Sequence, residues 1–90
     1  MTEYVEGALA LLFRMGIMGI VTNEHAVFEL DPQHSIEVLG QDGTWKPAEY
    51  IVYGYRDGYR KYDVLMDSES RTQVKLGSRV RCRTLYSDMI

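Results

Sequence analysis

The chain predicts a mainly-β fold, a small barrel or sandwich of short antiparallel strands, and three observations carry that prediction. From Ile17 onward, extended runs are punctuated by turn residues roughly every eight to twelve positions. Two Asp-Gly pairs, Asp42-Gly43 and Asp57-Gly58, lie between runs that alternate apolar and polar residues. Five of the seven tyrosines fall between residues 50 and 65, around the second pair. Ninety residues make one domain, near the size at which a single sheet has little apolar burial to spare.

The first element is predicted as a helix over residues 2–15. Thr2 is suited to an N-cap, Glu3 and Glu6 fall where the helix dipole favours carboxylates, and Gly16 suits a left-handed stop. Val5, Leu9, Leu12 and Phe13 would line one face, with Ala8, Leu11 and Met15 beside it. A strand running from Ala8 to Arg14 is the rival reading of the same run.

Residues 17–86 then read as the barrel. Ile17 to Thr22, His25 to Leu30, Ser35 to Leu39, Thr44 to Arg56, Tyr59 to Met66 and Ser78 to Leu85 are extended, separated by Asn23-Glu24, Asp31-Pro32-Gln33, the two Asp-Gly pairs, residues 67–70 and Gly77. If both Asp-Gly pairs form two-residue turns, Gly40 faces Trp45, Val38 faces Pro47, Tyr53 faces Tyr62 and Ile51 faces Val64. That register puts Ile36, Val38, Trp45, Pro47, Ile51, Tyr53, Tyr62 and Val64 in the core. It leaves Leu39, Ala48, Tyr50, Val52 and Leu65 on the opposite face, to be covered by the N-terminal helix or by a second copy of the chain.

Composition narrows the function classes. The net charge of −3 gives no general attraction to nucleic acid, although the halves differ. Residues 1–45 carry seven acidic side chains against Arg14, and residues 46–90 hold nine basic and six acidic ones, so the fold either presents two unlike faces or interleaves the halves. Cys82 is the only cysteine, which excludes an intramolecular disulfide and suits a reducing, cytoplasmic setting. The apolar run at residues 7–21 contains Arg14 and three glycines and is too short for a membrane span, so no membrane role is expected.

The segment SIEVLGQDGTWKPAEYIVYGYRDGYRKYDVLMDSESRTQVKLGSRVR resembles an SH3-like small barrel of the Tudor type. The likeness rests on Ile36 to Val38, Asp42-Gly43, Trp45, Pro47-Ala48, the hairpin to Met66, and Gln73 to Arg81. The segment is also similar to an uncharacterised family of short bacterial and mobile-element domains with an "IEVL…DG.W.P" core. It implies a barrel of five to six antiparallel strands, here with one N-terminal helix. Tudor-like barrels hold methylated lysine or arginine in an aromatic cage, but Lys46 stands where the family has a cage aromatic, and Leu65 and Met66 end the third strand.

No constellation for catalysis, metal or cofactor binding emerges. His25 and His34 lack a ligand spacing, and Cys82 alternates with arginines, which turns it toward Val80 and the interior. The charged feature that stands out is RVRCRTL, where a period of two sends Arg79, Arg81 and Arg83 to one side, about 7 Å apart. Such a row can grip phosphates or an acidic surface, or be neutralised by Glu24, Glu29, Glu37 and Asp63 across strands. The hairpin tip adds Tyr55, Arg56, Tyr59, Arg60 and Lys61. The expectation is a non-enzymatic module that engages a protein, or a protein–nucleic-acid complex, through these residues. Short acidic domains of this kind resemble phage or mobile-element inhibitors of host defence, anti-CRISPR inhibitors among them. A barrel that binds free nucleic acid and a self-associating homodimer are the alternatives.

Overall fold

In a computed structural model, the described residues are 4–12, 17–56 and 59–83, with side chains described outside 53–62. Within them lie seven strands: β1 (Tyr4–Leu11), β2 (Met18–Val21), β3 (Val27–Glu29), β4 (Ser35–Leu39), β5 (Trp45–Arg56), β6 (Tyr59–Asp67) and β7 (Arg79–Arg83). They form one antiparallel sheet in the order β3-β2-β1-β7-β4-β5-β6. The sheet curls as a half-barrel. Its ends approach across the core, where the Met18 amide of β2 donates to the Tyr50 hydroxyl of β5 at 3.3 Å.

The N-terminal segment corrects the helix expected over residues 2–15: it is a strand, and no helix occurs among the described residues. Thr2 and Gly16, the expected cap and stop, lie outside them. Nearly every position from Val5 to Leu12 is apolar or small, so the run satisfies a period of 3.6 and a period of 2 alike. Pairing decides between them. β1 is flanked by β2 and β7, through Leu9 opposite Ile20 and Gly7 opposite Val80, so its backbone groups are met on both sides. This strand also raises the expected five to six strands to seven.

The six later segments all occur, with ends shifted by no more than two residues, apart from the expected end at Leu85, which lies outside the described residues. Their pairing differs at the first Asp-Gly. Leu39 faces Trp45 and Ile36 faces Ala48, one residue off the two-residue register. The Gly40 amide donates to the Thr44 carbonyl and the Gly43 amide to the Gly40 carbonyl, which closes a three-residue loop with Gly43 at φ +82°. The turn is therefore type I followed by a left-handed residue, with glycine at the left-handed position rather than in the centre of a type I′ turn. Asp42 steers this choice by accepting from both the amide and the hydroxyl of Thr44, and these bonds hold its carboxyl below the usual range. The Thr22–Ala26 turn has the same pattern, with His25 at φ +62°. The second Asp-Gly hairpin pairs as expected, Tyr53 with Tyr62 and Arg56 with Tyr59.

A slip of one residue turns every side chain of a strand to the other face. Ile36 and Val38 therefore share the interior with Ala48, Tyr50, Val52 and Leu65, and the expected core positions Trp45, Pro47 and Ile51 face outward. Pro47 fits this arrangement because its carbonyl and missing amide point toward β6, whose ladder has ended at Asp67. Leu9, Met18 and Ile20 from the first two strands, with Leu30 just after β3, pack with Tyr50 and Leu65 in one core. The curled sheet packs its own apolar face into a core, in place of the expected helix.

Candidate functional site

The convex face of the half-barrel is built by the even positions of β1 and the odd positions of β4, β5 and β7. Tyr4, Glu6, Glu37, Trp45, Pro47, Arg79, Arg81 and Arg83 meet there because the pleat alternates Val80 and Cys82 inward with the arginines outward. At the centre of this face, the Arg81 guanidinium lies between two rings, 4.4 Å from the centroid of Tyr4 and 4.3 Å from that of Trp45. Its Nε donates to Glu37 Oε1 at 2.9 Å. Four strands thus contribute to one stacked cluster. Each cation–π contact is worth roughly 0.5–1 kcal/mol at such a part-exposed site, so the cluster's value lies in fixing two aromatic planes rather than in stability.

Beside it, Arg79 grips Glu6 Oε2 through Nε and Nη2, at 3.0 and 2.7 Å, and reaches Asn23 at 3.3 Å. Arg83 is engaged within the fold as well. The Arg79–Glu6 and Arg81–Glu37 ion pairs each join the acidic half of the chain to the basic half, so the halves interleave. The arginine row is one-sided, as its period required, yet Arg79 and Arg81 each share their charge with a carboxylate. Glu37, one of the acidic residues expected to neutralise them, does so. Glu6 was missed as a partner because the helix reading removed it from the sheet; read as a strand, Glu6 falls opposite Arg81 and diagonal to Arg79. Tyr4 and Trp45 were missed for the same two reasons, the helix and the register.

The backbone at the hairpin tip pairs Tyr55 with Arg60 and Arg56 with Tyr59. The side chains of Tyr55, Arg56, Tyr59, Arg60 and Lys61 lie outside the described residues, as does Asp57-Gly58 itself.

Cys82 is fully buried under β1 and β4, and burial pushes its thiol up to about 11. Native protein at pH 8 should resist a thiol-specific disulfide reagent over the time in which urea-unfolded protein reacts fully. The unfolded thiol ionises near 9 and the folded one only near 11, so the unfolded state loses its proton first. Stability should accordingly fall as pH rises through that window, and Cys82→Ala should remove this slope from urea midpoints.

Among the described residues, no three of His, Cys, Asp and Glu are grouped to hold a metal ion, and no helix is long and apolar enough to cross a membrane. No family model, curated protein or solved structure matches the chain.

Proposed function

We propose that the protein is a non-catalytic binding module whose convex face docks on a protein partner, with Tyr4, Trp45 and Arg81 as the anchors. The observation that carries this reading is the Tyr4–Arg81–Trp45 stack. Tyr4 remains 45% exposed, and two aromatic rings and an arginine, immobilised before any partner arrives, lose little side-chain freedom on binding. Aromatic and arginine side chains are the residues that dominate protein interfaces. Free nucleic acid is the weaker ligand, because Glu6 and Glu37 already share the charge of Arg79 and Arg81 and the chain as a whole is acidic.

The hairpin tip, with Tyr55, Arg56, Tyr59, Arg60 and Lys61, extends the contact in this proposal. The curled sheet is compatible with an SH3-like barrel of the Tudor type, and we read the module as a cytoplasmic inhibitor or adaptor of the kind carried by mobile elements, acting on a protein or protein–nucleic-acid complex.

Affinity capture from the host, followed by size-exclusion chromatography, should recover one stoichiometric partner. Trp45→Ala and Tyr4→Ala should each weaken that complex about tenfold or more, as expected for anchor residues. Tyr59→Ala with Arg60→Ala tests the tip in the same assay. A partner held equally well by the Trp45 and Tyr4 variants would remove the convex face from the interface. A salt-sensitive gel shift with bare RNA or DNA, lost on replacing Arg79, Arg81 and Arg83 together, would replace the protein partner by nucleic acid.

A further inference from the structure

Where β6 ends, the chain turns through residues 67–72. The Ser68 amide donates to the Pro47 carbonyl at 3.0 Å and the Asp67 amide to the Thr72 carbonyl at 2.9 Å, which ties this turn to the sheet. Beside it a cleft of about 380 Å³ opens. The register sets Glu49 opposite Met66, so Glu49, Ile51 and Met66 share the face opposite to Tyr50 and Leu65. Ile51 and Met66, both half-buried, give the cleft an apolar floor, and Ser68 adds a hydroxyl.

Two opposite charges line this floor, Glu49 and Arg71. Among the described residues, neither the Glu49 carboxylate nor the Arg71 guanidinium has a hydrogen-bond or ion-pair partner, and the two do not pair with each other. The third charged group of the lining, Asp67, is committed to the turn, because its Oδ1 accepts the Glu69 and Ser70 amides at 2.9 and 3.2 Å. Arg71 has φ +56°, in the left-handed region where glycine is the residue of least cost. Only its backbone serves the turn, through an amide that donates to the Asp67 carbonyl at 2.8 Å. A side chain carried at a strained position without a task in the fold points to a task outside it.

We propose that this cleft binds a free α-amino acid with an apolar side chain. The Arg71 guanidinium takes the carboxylate, Glu49 takes the ammonium, and Ile51 and Met66 cover the side chain. A zwitterion answers both charges at once, whereas a simple anion or cation would leave one of them unmatched. The volume suits so compact a ligand. None of the docking anchors lines the cleft, so this binding goes beyond the docking reading and does not rest on it.

The test is a magnetic-resonance titration of the isotope-labelled intact chain with L-leucine, N-acetyl-leucine, leucinamide and glycine. Leucine should shift the amide signals of Glu49 and of Ser68 to Thr72 saturably. N-acetyl-leucine, which lacks the ammonium, and leucinamide, which lacks the carboxylate, should each bind at least about tenfold more weakly, as loss of a charge-assisted contact requires. Glycine should bind severalfold more weakly because it leaves the floor uncovered. Arg71→Gly keeps the left-handed turn, so its urea midpoint should not fall, yet its affinity for leucine should drop at least about tenfold. Glu49→Gln should lower that affinity comparably. Lys75→Gln, at an exposed cation outside the cleft, and Trp45→Ala, at a docking anchor, should both leave it within about twofold. Absence of saturable shifts up to roughly 10 mM leucine, shifts confined to other residues, or equal binding of any of the three analogues would overturn the proposal. Full affinity in the Arg71 or Glu49 variant, or an equal loss in the Lys75 variant, would overturn it as well.

Discussion

Replacing Tyr50 by Phe should destabilise the fold by about 2–3 kcal/mol, far more than loss of one exposed hydroxyl would. The Tyr50 ring lies in the core, and its hydroxyl donates to Asp63 Oδ2 while accepting the Met18 amide at 3.3 Å. Asp63 is only 4% exposed, so its carboxylate depends on protein donors in place of water. Phe would keep the shape of the ring, remove that donor, and leave the Met18 amide without its acceptor. Because β2 and β5 belong to opposite ends of the curled sheet, this bond also helps fix the curl. Urea midpoints at unchanged m-value would measure the loss. In a cycle with Asp63→Asn, the two substitutions should couple by at least about 1 kcal/mol; additive effects would show that the hydroxyl and carboxylate act independently.

A substitution at Gly7 should cost a similar amount for a different reason. A Cβ built there would meet the Val21 carbonyl oxygen at 2.2 Å and its carbon at 2.7 Å, both backbone atoms that cannot swing aside. Gly7 lies in the middle of β1, where its missing side chain lets the end of β2 fold over the strand. Gly7→Val should therefore cost roughly 3 kcal/mol, the upper end for an overpacked interior, and Gly7→Ala somewhat less. Gly43→Ala serves as the contrast: nothing lies near its Cβ, so only the left-handed φ of +82° opposes it, at about 1 kcal/mol. If Gly7→Val proves as mild as Gly43→Ala, the close approach of β1 and β2 is not as described.

The candidate face shows how far local reasoning reaches. Arg79, Arg81 and Arg83 were legible as a one-sided row because alternation along a strand needs only the strand to be present. Their partners were not legible. Glu6 and Tyr4 belong to a segment whose near-continuous apolar run supports helix and strand equally, and Trp45 reaches Arg81 only in the register set by a three-residue loop.

The order of residues by itself determined that the chain is mainly β, roughly where six of the seven strands lie, which residues form the second hairpin's ladder, and that Cys82 points inward. These follow from turn chemistry and period-two patterning, which act over a few neighbouring residues. Only the tertiary structure decided the state of residues 4–11, the face to which Trp45 and Tyr50 turn, and what covers the interior. Those outcomes depend on pairing between distant strands: β7 completes the hydrogen bonds of β1, and the curl brings Met18 to Tyr50. The free energy that selects among locally equivalent readings is the burial of apolar surface and the satisfaction of backbone groups across the whole sheet, and neither quantity is defined until the strands have met.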